Sequence, residues 1–381
     1  MKVGFYTIDV PATLGGGFVL RDDLIRAAEK FQGRHALEIV RIPPSIQAQS
    51  RLKKGWNLLR RVPKDQGTPV ANRLAREVKD RGIQVLWFNH IEPIHIDVPY
   101  ILNIFDLQHR LQPCFPEVSA GGEWSHREAA WADAVRRAAI VTVGSEEAKQ
   151  QLCHFYGVPL ENVWVLPFPT PQKALDIALG RTDRPAKTDV RSKYEIKHDF
   201  LFYPAQFWPH KNHANLLHAL KLLRQRGRDV SLVLTGSDHG NRSHVEKMAQ
   251  DLKVADLVHF CGFVPYEDIL SFYHDARALV YVSFFGPENL PPLEAMALEC
   301  PVILSNIPGV ETLHGDGPVL VEPRNPASIA DGVEFVLDNP DQMRDRIRQA
   351  KAVALANSCE RYLEGFERML DAFEPVRRCW P

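Results

Sequence analysis

The sequence predicts an α/β protein of two domains, each built on a parallel sheet. Three observations carry that expectation. Short runs of β-branched, aromatic and aliphatic residues alternate with longer amphipathic stretches through nearly the whole chain, the pattern of successive βα units. The alternation breaks once, at Pro167–Asp199, where prolines, charges and Gly180 cluster, and it restarts at Phe200. The length, 381 residues, suits two domains of ordinary size. The division expected is 1–178 for the first domain, 186–357 for the second, and 358–381 for a terminal helix.

Bulk properties narrow the function classes. A formal net charge of -1 gives no basic face for nucleic acid. No stretch is apolar for long enough to span a bilayer. The opening MKVGFYTIDV lacks the apolar core of a leader peptide and reads directly as a first strand. The six cysteines are scattered singly, with no C-x-x-C pair, which fits a reducing, cytoplasmic setting.

Residues 2–8 read as a strand, then a loop with Gly15, Gly16 and Gly17, then a helix over 19–31. Glycines between a first strand and a first helix let backbone approach a charged ligand, or simply make a turn. Residues 36–42 are a second strand. Arg51, Lys53, Lys54, Arg60, Arg61 and Lys64 follow, with Leu52, Trp56 and Leu59 on one helical face. Such a helix can lie on an anionic membrane surface, or pack its apolar stripe on its own domain. After a buried strand at 83–88 comes His90, Glu92, His95 and Asp97, open to a metal reading or to a loop in which His90 touches sugar hydroxyls. The H-x-E spacing at 90–92 lacks the C-x-x-C that a zinc deaminase needs, since only Cys114 follows Pro113. Tyr100–Phe105 is a strand leading into Asp106 and His109. A helix spans 123–138, a strand 140–143, and Ser145 caps the next helix.

The second half gives strands at Phe200–Pro204, Ser231–Thr235, Val258–Cys261, Ala278–Val282, Val302–Leu304 and Val319–Val321. Helices start at Asn325-Pro326 and at Asn339-Pro340, and a last one runs over Ser358–Phe373. The helix after Phe200–Pro204 opens His210-Lys211-Asn212-His213, with Asn212 as N-cap. A cation there opposes the helix dipole by about 0.3–1 kcal/mol. A bound anion would remove that conflict and use the free N–H groups. Lys211 is therefore a candidate anion ligand.

The stretch Tyr281–Ser305, YVSFFGPENLPPLEAMALECPVILS, runs strand, loop, helix, strand. Pro291 and Pro292 suit a first helical turn. Glu294 follows them in that turn, at the carboxyl end of a strand, where open α/β sheets bind ligands. A carboxylate there can accept both hydroxyls of a ribose. Gly286-Pro287, then Pro291-Pro292-Leu293-Glu294-Ala295-Met296-Ala297, then Cys300-Pro301-Val302-Ile303 resembles the signature of retaining glycosyltransferases of family 4 (glycosyl transferases group 1).

The resemblance implies a GT-B fold: two Rossmann-like domains facing each other across a cleft, with the C-terminal helix crossing back to the N-terminal domain. It implies that Lys211 holds the donor diphosphate, and that Gln206 and His210 share the work of a missing arginine. Val264 sits in the turn that reads the base through backbone. Gly16 and Gly17 line the cleft near the phosphates. Pro287, Asn289 and Leu290 form the donor-sugar loop with Glu294. Ser145 matches a serine of the family. Two departures stand out. Phe105 occupies the place of a histidine that touches the donor sugar, leaving Asp106 and His109 as candidates. The first of two spaced glutamates falls at Gly286, and Glu288 is the candidate to replace it.

The implied function is retaining transfer of a hexose from a nucleotide-diphosphate sugar to a glycan or lipid-linked acceptor. Family habit puts GDP-mannose first and UDP-sugars next. No metal or other cofactor is expected, because Lys211, a helix N-terminus and loop N–H groups supply the positive field that the leaving diphosphate needs. Peripheral contact with the inner membrane face would run through 51–64. The alternative is a non-catalytic nucleotide-sugar-binding or scaffold subunit of the same fold, favoured by the departures at 105 and 286 and opposed by Lys211 and Glu294. A hydrolase using Glu288 and Glu294 would leave Lys211 unexplained.

Overall fold

A computed structural model of the chain describes residues 1–8, 16–41, 69–89, 94, 96–182 and 188–380. They form two compact units. The first comprises Met1–Leu111, Gly121–Phe168 and Cys359–Pro381; the second comprises Gln112–Ala120 and Pro169–Ser358.

The first unit is built on six parallel strands, β1 (Lys2–Thr7), β2 (Ala36–Arg41), β3 (Val85–Phe88), β4 (Tyr100–Asn103), β5 (Ile140–Val143) and β6 (Val163–Val165). Their spatial order is β2-β1-β3-β4-β5-β6. Strands β3, β4 and β5 are buried along their whole length, as expected for a parallel sheet covered on both faces. The C-terminal helix Cys359–Arg377 completes this unit. Its Phe366 ring lies 4.2 Å from Trp87, and Arg377 donates from Nε to the Gln84 carbonyl at 3.0 Å. His35, itself buried, reaches Asp371 of the same helix at 2.9 Å.

The second unit repeats the design with β7 (Phe200–Pro204), β8 (Ser231–Thr235), β9 (Val258–Gly262), β10 (Ala278–Tyr281), β11 (Val302–Ser305) and β12 (Val319–Val321), in the order β12-β11-β10-β7-β8-β9. The connections run outward in opposite directions from the neighbouring strands β7 and β10. The boundary between these two strands is the topological switch point, where open parallel sheets leave a crevice at their carboxyl ends. Aromatic packing fixes the middle of the unit: Phe202 stacks on Phe272 at 5.0 Å and meets Tyr273 edge-on at 5.2 Å.

Several local expectations change. Gly16 and Gly17 are not a loop ahead of the first helix; they open the helix Gly16–Lys30, where the first-turn N–H groups have no intrahelical partner in any case. The helix Pro69–Arg81 and strand β6 have no counterpart in the sequence reading; β6 is only three residues long and carries Trp164 between two valines. The stretch 167–199 holds the helices Gln172–Ala178 and Val190–Lys193. The basic stretch 51–64 and His90, Glu92 and His95 lie outside the described residues. No described helix is long and apolar enough to cross a membrane.

Candidate functional site

Two loops meet at the switch point of the second sheet. The first leaves β7, turns through a 3-10 helix at Pro209–Lys211 and enters the helix His213–Gln225. The second leaves β10 and enters the helix Leu290–Ala297, whose start is fixed by Pro291 and Pro292. The His210 carbonyl ties them together by accepting from the Phe284 N–H at 2.9 Å.

Asn212 sits at the N-cap position, but its side chain does not cap. Its backbone is left-handed, at φ 60°, and its amide donates to the Val282 and Pro323 carbonyls at 2.9 and 2.8 Å. Asparagine tolerates that conformation better than most residues. The amide is thus spent on holding the ends of other strands, and Lys211 lies one residue before the cap, in the 3-10 turn.

The Lys211 ammonium donates to the Tyr281 hydroxyl and to Asn289 Oδ1, each at 3.0 Å, and stands 5.1 Å from the Tyr281 ring. Both acceptors are neutral. Among the described residues no carboxylate pairs with Lys211. Asn289 holds its own loop in turn, donating to the Phe285 and Gly286 carbonyls at 3.2 and 2.6 Å. Gly286 is left-handed at φ 48°. A Cβ built there would stand 3.2 Å from Glu288 Oε2, so the Glu288 carboxylate folds back toward the position from which a side chain at 286 would emerge. Behind the loop, buried His314 meets the Pro287 carbonyl through Nε2 at 2.9 Å. Burial, the larger effect, lowers the basicity of His314, against a smaller opposing contribution from that carbonyl.

Glu294 is the fifth residue of its helix, in the second turn rather than the first. It is 9 % exposed. Its two oxygens accept separately from the Tyr266 and Tyr273 hydroxyls, each at 3.1 Å. Burial chiefly, with the carboxylate adding to it, pushes the Tyr273 phenol well above its ordinary range, so it stays a donor. An ionised carboxyl group has about four acceptor sites, and these two bonds orient both oxygens. Leu290 is buried at the helix start, and Val264 is buried in the turn between β9 and the helix Tyr266–Asp275. Gln206 Oε1 accepts from the Trp208 indole N–H at 3.0 Å.

The structure therefore brings together Gln206, His210, Lys211, Pro287, Glu288, Asn289, Leu290 and Glu294 at one edge of the second sheet. In the first unit, Asp106 accepts the Gln108 N–H at 2.9 Å and lies 3.5 Å from Arg127. His109 is fully enclosed, contrary to the expectation that it contacts sugar. Its ring meets Trp131 edge-on at 4.5 Å, and its Nε2 lies 3.1 Å from the Tyr156 hydroxyl and 3.3 Å from Glu128. Burial, outweighing Glu128, lowers its basicity and favours a neutral core histidine. Ser145 caps its helix, accepting the Ala148 N–H at 3.2 Å. Gly16 and Gly17 are exposed at the start of their helix.

Glu117 has no local signal in the sequence. It accepts from both the backbone N–H and the ring Nδ1 of His210. Its segment, Gln112–Ala120, belongs to the second unit although it interrupts the first in sequence. Local pattern carries no sign of such a long-range pairing.

The fold has solved relatives. A protein of Anabaena solved in complex with UDP superposes over 98% of this chain and 100% of its own, with a TM-score of 0.69 at 15% identity. The fold is GT-B. Residues 186–353, most of the second GT-B unit, match the family model "Glycosyl transferases group 1". The alpha-D-kanosaminyltransferase of Streptomyces kanamyceticus is 27% identical over 229 residues, covering 59% of this chain and 58% of that protein. An O-antigen chain mannosyltransferase of Salmonella typhimurium is 30% identical over 155 residues, 41% of this chain and 43% of that protein. The chain spans about half the length of the curated relatives it matches.

Proposed function

We propose that this protein is a glycosyltransferase that moves a hexose from a nucleotide-diphosphate sugar to a glycan or lipid-linked acceptor, with retention of anomeric configuration. The observation that carries the reading is the Lys211 ammonium at the switch point of the second sheet, which meets no carboxylate among the described residues, with the Glu294 carboxylate on the neighbouring loop and helix. A cation and an oriented carboxylate at one strand edge suit a diphosphate and a ribose. The family match over 186–353 and the sugar-transferase relatives support the same class.

In this reading the transition state places growing negative charge on the leaving diphosphate. Lys211 and the loop N–H groups stabilise it from fixed positions, which lowers the barrier without reorganisation. Glu288, folded toward the empty place at Gly286, contacts the donor sugar. Asp106, in the first unit, is a candidate on the family resemblance alone. The site needs no metal, because the positive field comes from the protein. GDP-mannose leads among donors, supported by the mannosyltransferase relatives, and UDP-sugars follow, supported by the UDP complex of the Anabaena protein.

The test is donor turnover without acceptor. Purified protein is incubated with GDP-mannose, UDP-glucose, ADP-glucose and dTDP-glucose, and release of nucleoside diphosphate is followed. Slow release from one donor, abolished in Lys211→Ala and Glu288→Ala, supports the reading. No release and no binding of any donor by well-folded protein contradicts it.

A further inference from the structure

Glu117 carries an unusual load for a residue outside every strand of its sheet. Its side chain is 7 % exposed and that of its partner His210 is 12 % exposed. One oxygen takes both His210 donors; the other, Oε2, is buried with no hydrogen-bond partner among the described residues. Burial alone would raise the carboxyl's pKa, yet the bonds from His210 and from backbone bring it below its ordinary value. A carboxylate accepts and does not donate, so His210 Nδ1 carries a proton. A buried anion is costly unless a cation faces it.

The surroundings fix the ring that faces it. The His210 ring stacks on Phe285 at 4.0 Å and 7°, with Phe115 edge-on at 6.5 Å. Gln112 donates to the Phe284 carbonyl at 2.7 Å, so the same segment also grips the donor loop. The charged and titratable groups nearest the ring in the chain are Lys211 in the same 3-10 turn and His213 in the following helix, and Glu117 meets the ring at Nδ1. Lys211 is the next residue in the chain.

We infer that Glu117 is a positioning residue that holds His210 as a second cation beside Lys211, so that the pair together recognises a diphosphate. The inference rests on the proposed nucleotide-sugar site and deepens it. The donor diphosphate then meets two positive side chains, one on a flexible stem and one fixed by a stacked ring and a carboxylate. Glu117 touches no ligand itself.

The experiment is calorimetric titration of wild type, Glu117→Gln, His210→Gln and the double variant with the nucleoside diphosphate that wild type binds and with its monophosphate. Removing the carboxylate is expected to weaken the diphosphate about tenfold while the monophosphate changes about twofold or less, since a charge-assisted contact is lost only with the second phosphate. His210→Gln is expected to match it, and the double variant to lose nothing more. A general packing defect would lower melting temperature and weaken both nucleotides alike, and that outcome overturns the inference. So does an unchanged diphosphate-to-monophosphate ratio in Glu117→Gln, or additive losses in the double variant. If Glu117→Gln does not fold, the ratio in His210→Gln decides alone: unchanged, it overturns the inference. Wild type that binds neither nucleotide overturns the proposed function and this inference with it, whereas wild-type binding with an unchanged variant overturns only the inference.

Discussion

Tyr273→Phe removes one oxygen and nothing else, and the structure sets what that oxygen does. The hydroxyl is buried with a residue exposure of 1 % and donates to Glu294 Oε2 at 3.1 Å; the Pro291 carbonyl, at 3.4 Å, is the weaker acceptor. Hydrogen bonds to charged groups contribute about 1.5–3 kcal/mol. The cavity left by one oxygen is too small to add much. Loss of about 2 kcal/mol is therefore expected, read as a lower urea midpoint with an unchanged slope. Tyr266→Phe, a half-buried residue whose hydroxyl serves the other carboxylate oxygen, is the control and is expected to lose about 1 kcal/mol or less. Both substitutions free the carboxylate that is assigned to the ribose, so both should also weaken nucleotide. A Tyr273→Phe protein within about 0.5 kcal/mol of wild type, the spread of ordinary surface changes, would refute the idea that paired tyrosines hold Glu294.

His213 is buried, stacks on Phe207 at 4.7 Å, and has no hydrogen-bond partner for either nitrogen among the described residues; burial first, then Lys211 and His210, push its pKa down to about 3. The folded state keeps it neutral while the unfolded chain binds a proton below about pH 6.5, so stability should fall as pH drops from about 6.5 toward about 3, by up to about 1.4 kcal/mol per pH unit, and His213→Phe should flatten that slope in pH-dependent urea unfolding. A Cβ on Gly332 would stand 2.4 Å from the Val321 side chain on β12, so Gly332→Ala should cost about 1–3 kcal/mol by forcing the helix Pro326–Asp338 off the sheet, measured as a lowered melting temperature. Chelation with excess EDTA should leave donor turnover unchanged; loss of turnover restored by a divalent cation would show that the side chains do not neutralise the diphosphate unaided.

The parallel α/β order was legible because period and length decide it: strands such as Ile140–Val143 and Val319–Val321 are short apolar runs bounded by polar turns, and they fall where the pattern places them. The switch-point loops were legible because proline, glycine and an ill-placed lysine break local rules in one region. What was not legible depends on contacts far apart in sequence. His109 is a core residue because Trp131 and Tyr156 enclose it, and nothing near it in the chain says so. Asn212 looks like a cap, but the Val282 and Pro323 carbonyls claim its amide. Glu117 precedes its partner by nearly a hundred residues, and the carboxylate that could stand in for a side chain at Gly286 comes from a backbone turn at φ 48° that composition does not reveal.

The central claim is that Lys211 binds a diphosphate at the edge of the second sheet. The most direct measurement is the dissociation constant of the bound nucleoside diphosphate for wild type and Lys211→Met, which keeps the stem and removes the charge. In the fold Lys211 gives up two bonds to neutral oxygens, and Asn289 keeps its own bonds to the loop, so the melting temperature should drop by only about 2 °C. The diphosphate should weaken by about 30- to 100-fold, the equivalent of one charge-assisted contact of about 2–3 kcal/mol. Equal affinity of the two proteins would contradict the account.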